Sequence, residues 1–289
     1  MRVVRSPLVT ADWLAAQTGG IVVLDATIDR GIDAIGKTTF QKGQSLYEAG
    51  HIPGARFADL FDGFSDPDAP FLFTRPSPGQ LQAAARSLGI HRDTIVVVYD
   101  GLSGAWAARV WWVLRSFGCQ SVYVLDGGLN AWTRSGRPLE TGGATMSWLE
   151  GDFVADTQDG FFVDLSEVRG IALASQASGD PLVCATRRVE FLGQASDGTR
   201  AGHIPGSVNL PYSDLLDAEG CVDAAKGRDA WRALGCADKS RPILYCGGGI
   251  NAAGLALVLT AAGFEGMTIF DGSLNEWRAD ATLPMATGE

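Results

Sequence analysis

Of the 289 residues, one short run joins a reactive side chain to the backbone needed to use it. Cys246 follows Pro242 and then Ile243, Leu244 and Tyr245, which read as the end of a buried strand. It precedes Gly247, Gly248 and Gly249. Three glycines permit a tight or left-handed turn without a Cβ clash, and Ala252 to Ala262 is a run of strong helix formers. A strand, glycine turn and helix in that order bring unpaired N–H groups and the positive end of the helix dipole towards one sulfur. Positions of that kind favour a thiolate and make cysteine a nucleophile. The same pattern suits a buried structural cysteine beside a tight turn, so the run alone leaves both roles open.

Other chemistry-bearing residues are sparse. The five cysteines, Cys119, Cys184, Cys221, Cys236 and Cys246, form no CxxC pair, and the three histidines, His51, His91 and His203, are far apart. Neither set has metal-ligand spacing, so no metal and no cofactor is expected. A formal net charge of −10 argues against nucleic acid or an anionic membrane as partner. No stretch approaches the ~18 uninterrupted apolar residues of a membrane span, and MRVVRSPLVT lacks the apolar run of a secretory signal. A soluble cytoplasmic protein is the expectation.

The elements that must position Cys246 emerge from self-comparison. Val23 to Thr27 resembles Val183 to Thr186, GHIPGA from Gly50 resembles GHIPGS from Gly202, and LDGGLNAW from Leu125 resembles FDGSLNEW from Phe270. His51 and His203 are 152 residues apart, and Trp132 and Trp277 are 145 apart. A period of ~150 residues is far longer than that of solenoids, so the chain reads as two whole domains in tandem. Short apolar strands alternate with helical stretches in each half, which indicates α/β architecture with a mostly parallel sheet flanked by helices. The expected boundaries are a first domain at 1–140, a linker at 141–159 and a second domain at 160–289. Ligands of such sheets sit at the carboxyl ends of strands, where Cys246 falls.

Under the repeat, Tyr99 and Asp100 lie over Tyr245 and Cys246. An aspartate offers no thiolate, so the first domain is expected to be catalytically inactive. Either it supplies one wall of an interdomain cleft, or it is independent and Asp100 caps the following helix.

Two GHIPG segments, the YC-glycine turn-helix run, and paired DGG and DGS turns with a following tryptophan together resemble the tandem rhodanese family of sulfurtransferases. The resemblance runs from about Leu14 to Trp277. It implies two rhodanese-like domains, the second catalytic, and a ping-pong reaction in which Cys246 takes a sulfane sulfur from a small-molecule donor. The sulfur is held as a persulfide and passed to a thiophilic acceptor: cyanide, a thiol or a thioredoxin-like protein. Gly247, Gly248, Gly249, Ile250 and Asn251 would form the anion loop. The related dual-specificity phosphatases place an arginine six positions after the cysteine, where this chain has Ala252, which argues against phosphoryl transfer.

The neutral loop CGGGIN resembles the mercaptopyruvate type more than the basic loop of thiosulfate enzymes, which favours 3-mercaptopyruvate as donor and leaves thiosulfate open. A non-enzymatic sulfur carrier is the remaining alternative. The family's anion-gripping arginines fall on Thr186 and Glu190 in this sequence; Arg187 and Arg188 stand beside those places as candidates for substrate binding. A shift of one residue reverses the direction of a side chain in an extended segment, so a solvated surface role is equally open to them. His51 has two readings, a turn-fixing residue or a proton relay. Cys184, at a neighbouring strand end, reads as core packing or as a partner for Cys246.

Overall fold

The computed structural model describes residues 6–289 apart from 18, 35–37, 144–147, 175–180, 196–198 and 236–240, the last group containing Cys236. The chain divides into two compact units: Met1–Gln158 with Ala218–Val222, and Asp159–Asp217 with Asp223–Glu289.

In the first unit the elements run β1 (Leu8–Val9), α1 (Ala11–Ala15), β2 (Ile21–Asp25), β3 (Ile28–Ile32), β4 (Thr38–Lys42), α2 (Gln44–Ala49) and β5 (Arg56–Phe57). They continue with α3 (Pro78–Ser87), β6 (Ile95–Tyr99), α4 (Ala105–Ser116), β7 (Val122–Leu125) and α5 (Gly128–Arg134). Five strands form a parallel sheet in the order β1-β7-β6-β2-β5, while β3 and β4 make a separate antiparallel hairpin between β2 and α2. Every residue of β6 is buried, as a strand covered on both faces requires.

The second unit repeats the plan with β8 (Phe162–Val163), α6 (Leu165–Ala172), β9 (Leu182–Cys184), α7 (Arg188–Phe191) and β10 (Val208–Asn209). A 3₁₀ turn (Tyr212–Leu215) follows, then α8 (Ala224–Ala233), β11 (Ile243–Tyr245), α9 (Ile250–Ala261), β12 (Thr268–Phe270) and α10 (Ser273–Ala279). Its parallel sheet runs β8-β12-β11-β9-β10, the first unit's order strand for strand. Helix α9 is buried almost all round, which explains why it carries no charged residue. It is approached closely by the 3₁₀ turn: a Cβ on Gly254 would lie 2.8 Å from the Tyr212 ring.

The repeated residues recur as repeated contacts. Trp132 and Trp277 each donate through Nε1 to a proline carbonyl, Pro138 at 2.8 Å and Pro284 at 2.9 Å. Tyr99 and Tyr245 each accept on the phenolic oxygen from the N–H after the histidine, Ile52 at 3.0 Å and Ile204 at 3.1 Å. Trp277 is fully buried, and its replacement by alanine should cost about 3–5 kcal/mol.

The stretch expected to be a linker is fastened along the first unit. Gly151 and Phe153 donate to the carbonyls of Arg86 and Ile90, and Asp156 and Gln158 to those of Phe117 and Ser116. The observed boundary follows Gln158. Residues 218–222 also belong to the first unit, where the Val222 N–H reaches Asp126 Oδ1 at 2.8 Å and Arg134 reaches the Glu219 carbonyl at 3.0 Å.

Candidate active site

Parallel strands β9, β11 and β12 end side by side, so the residues that follow them share one edge of the second sheet. Cys246 leaves the central strand and is 3 % exposed. Its carbonyl accepts from the Leu274 N–H at 3.0 Å, and that of Gly247 accepts from the Asn275 N–H at 2.9 Å. These bonds tie the loop to the start of α10. Gly249 turns the chain with φ 81°, a value glycine reaches without strain, and α9 begins at Ile250. The first N–H groups of α9 have no acceptor within the helix and converge on the loop. A Cβ on Gly247 would meet nothing within 4 Å, so the loop is open there.

The first unit shows what such a loop does with an anion. Asp100 stands at the same strand end, fully buried, and Gly104 (φ 78°) opens α4 as Gly249 opens α9. Asp100 Oδ1 accepts from the N–H groups of Leu102 (2.8 Å) and Gly104 (2.9 Å), and Oδ2 from that of Ala107 (2.9 Å). The carboxylate thus caps α4 and fills the cradle itself. Burial pushes its carboxyl above the ordinary range, while the N–H donors pull it back. Counted from the helix start, the places of Gly104 and Ala107 are taken by Gly249 and Ala252 in the second unit, where the side chain facing them is a thiol. The second loop is one residue shorter, with Cys246, Gly247 and Gly248 where the first has Asp100, Gly101, Leu102 and Ser103.

The neighbouring strand ends differ in the same sense. Asp25, on β2 beside Tyr99, accepts from the Thr27 N–H at 2.8 Å, and burial, helped by Asp100, raises its pKa. Its counterpart is Cys184, on β9 beside Tyr245, with its thiol 3.1 Å from the Thr186 hydroxyl. Cys184 is wholly buried among Phe191, Ile204 and Tyr245, and burial pushes its thiol up. It is paired in register with Tyr245 rather than with Cys246, an arrangement that supports core packing rather than bonding to Cys246.

Arg187 and Arg188 lie just beyond β9, and both are exposed. Arg187 donates through Nε to Glu190 Oε1 at 3.0 Å, and Arg188 pairs with Glu289. Both guanidinium groups therefore already hold carboxylates. His51 is buried, stacks on Tyr47 at 3.9 Å between ring centroids, and donates through Nδ1 to the Tyr47 carbonyl at 2.8 Å. His203 repeats the arrangement on Phe191, with a stacking distance of 3.6 Å and a 2.8 Å bond to the Phe191 carbonyl. One contact pattern in both units supports the turn-fixing reading of these histidines. Among the described residues no group of three or more His, Cys, Asp or Glu side chains is placed to hold a metal, and no helix is long and apolar enough to cross a membrane.

One site residue has no place in the sequence expectations. Ser273, fully buried at the start of α10, adopts φ 50°, a left-handed conformation that costs a non-glycine residue roughly 1–2 kcal/mol. Its hydroxyl donates to the Phe270 carbonyl at 2.9 Å and accepts the Cys246 N–H at 3.2 Å. The available signal was Gly128 at the matching place in the first copy, a residue that also adopts φ 54°.

The sequence profile of the rhodanese-like domain matches residues 10–135 and 184–280. The chain belongs to the rhodanese-like family. Among its relatives is the 3-mercaptopyruvate sulfurtransferase of Escherichia coli K12, 33 % identical over 284 residues and 96 % of each chain. Another is the putative thiosulfate sulfurtransferase SseB of Mycobacterium tuberculosis, 35 % identical over 256 residues, 85 % of this chain and 86 % of the relative. The crystal structure of SseA from Escherichia coli, described as a 3-mercaptopyruvate sulfotransferase with the rhodanese fold, superposes with a TM-score of 0.80 at 29 % identity and covers 93 % of this chain and 98 % of that one. The fold is the rhodanese fold, present twice, and the protein is a sulfurtransferase with a small-molecule sulfur donor and a thiophilic acceptor.

Proposed function

We propose that the protein moves a sulfane sulfur from 3-mercaptopyruvate, a small anionic donor, through a persulfide on Cys246 to cyanide, a thiol or a thioredoxin-like protein. The Cys246 thiolate attacks the donor sulfur, the carbon–sulfur bond breaks, and the departing enolate takes a proton to become pyruvate. The acceptor then attacks the terminal sulfur and frees the Cys246 thiolate. The observation that carries the reading is the second loop itself, whose counterpart is filled by its own carboxylate and which presents a thiol instead. The N–H groups that open α9 would receive the persulfide anion, and Gly247 adds no steric crowding there. The name of the Escherichia coli relative supports the donor.

Thiosulfate is the second reading, favoured by the name of the mycobacterial relative. In that case a sulfur–sulfur bond breaks and sulfite leaves. The anionic group of either donor, a carboxylate in mercaptopyruvate or the oxygens of thiosulfate, would be held by Arg187 or Arg188 in exchange for Glu190 or Glu289.

Intact-mass measurement after treatment with each donor, followed by peptide mapping, tests the proposal. One added sulfur on the Cys246 peptide after mercaptopyruvate is the expected result. Labelling by thiosulfate alone would transfer the reading to the second donor, and labelling elsewhere would end the Cys246 mechanism.

A further inference from the structure

Strained backbone in a buried position persists only where its surroundings hold it, and among the described residues of the second unit the left-handed non-glycine is Ser273, beside the nucleophile. Ser273 keeps φ 50° although it carries a Cβ, and both hydrogen-bonding functions of its hydroxyl are spent on backbone, on the Phe270 carbonyl and the Cys246 N–H. In the first unit the equivalent Gly128 has the same backbone conformation with no side chain. A Cβ there would stand 2.3 Å from the Asp100 carbonyl oxygen, and the hydrogen bond from the next residue to that carbonyl (Leu129 to Asp100, 3.1 Å) is the same one that Leu274 makes to Cys246 at 3.0 Å. The second unit therefore makes room for a side chain at a place where the first has none to spare, and the gain is a hydroxyl on the nucleophile's own amide.

We infer that Ser273 is a positioning residue of the sulfurtransferase reaction, its hydroxyl latching the Cys246 peptide so that the thiolate faces the N–H groups at the start of α9. The latch acts through the peptide: with its N–H held from the start of α10, the Tyr245–Cys246 peptide plane is fixed, and with it the direction of the Cβ–Sγ bond. The hydroxyl has no free proton for the sulfur, so the role is geometric. In the first unit no latch is needed, because three N–H groups grip Asp100 directly. The inference rests on Cys246 being the nucleophile.

Ser273→Gly restores the residue of the first copy and Ser273→Ala removes the hydroxyl alone, so the pair separates loss of the latch from relief of strain. The first measurement needs no donor: the rate at which iodoacetamide alkylates Cys246 at fixed pH, read by peptide mass. Both variants are expected to react roughly tenfold more slowly than wild type, the effect of one lost hydrogen bond of about 1.4 kcal/mol. A purely structural serine would give the opposite sign, since loosening a thiol that is 3 % exposed speeds its alkylation. Turnover should show kcat down by about the same factor with donor KM unchanged within about twofold. Wild-type alkylation and kcat in Ser273→Gly would overturn the latch, as would faster alkylation in either variant. Should wild type transfer no sulfur while alkylation still slows in both variants, the persulfide reading fails and the latch stands.

Discussion

Two turns with one backbone plan end in opposite states. After β6 the chain swings round Asp100, whose carboxylate takes the N–H groups of Leu102, Gly104 and Ala107 and leaves nothing for a ligand. After β11 the chain swings round Cys246, whose neighbours are glycines and whose amide is held by a strained serine. The difference teaches that this fold is built to neutralise an anion at one strand end. A covalently attached carboxylate turns the cradle into a helix cap, and under the proposed function the thiol of the second loop leaves it for an anion that comes and goes.

The strongest way to break the contrast is to remove the thiol. Cys246→Ser should lower sulfur transfer by at least about a thousandfold and leave no persulfide by mass, because an alkoxide is not formed at neutral pH and oxygen does not hold a sulfane sulfur. Residual turnover in that variant would place the chemistry elsewhere. The mirror substitution empties the other cradle. Asp100→Ala removes the acceptor of three N–H groups, that of Ala107 buried and those of Leu102 and Gly104 part-buried, and should destabilise the first unit by about 1–3 kcal/mol in urea unfolding. Millimolar formate should return part of that loss in the variant and none in wild type. No effect of formate would mean that the first loop is a cap only and no longer an anion site.

A smaller effect concerns the donor. Arg187→Ala and Arg188→Ala are each expected to raise donor KM about three- to tenfold with kcat little changed, as loss of binding shared by ground and transition states requires. Unchanged KM in both would return the pair to the surface ion pairs they form with Glu190 and Glu289.

Much of this was legible in the residues. Two GHIPG segments and two DG turns with their tryptophans announced a repeated α/β plan, because those residues make the same local bonds in both copies: histidine to carbonyl, indole to proline carbonyl. The strand, glycine and helix order around Cys246 announced its place for the same reason. What stayed hidden depends on contacts between distant pieces. Nothing local in Ala218–Val222 says that it packs in the first unit, since its partners Asp126 and Arg134 lie more than eighty residues away. Nothing in DGS says that the serine is left-handed until it is laid over Gly128, and the exposed arginines showed their carboxylate partners only when α7 and the C-terminal residue were in place.

The last test compares the strand ends beside the two loops. Asp25 and Cys184 hold equivalent positions, and burial raises both, one from an ordinary 3.8 and the other from 9.0. A raised value in the folded state means that the folded chain binds the proton more tightly. The stabilising contribution is therefore complete below the ordinary value and is lost as pH rises through the folded one. For Asp25 that loss begins on the acid side of neutrality, and for Cys184 it begins only above pH 9.0. Unfolding followed from pH 4 to 10 should thus show Asp25→Asn flattening the acid limb and Cys184→Ala flattening the alkaline limb. Exchange of the two limbs between the variants would show that the repeated positions are not electrostatic equivalents. The expected pattern would tie the acid-sensitive unit to its carboxylates and keep the sulfur-bearing unit indifferent to pH across the neutral range, where a thiol must work.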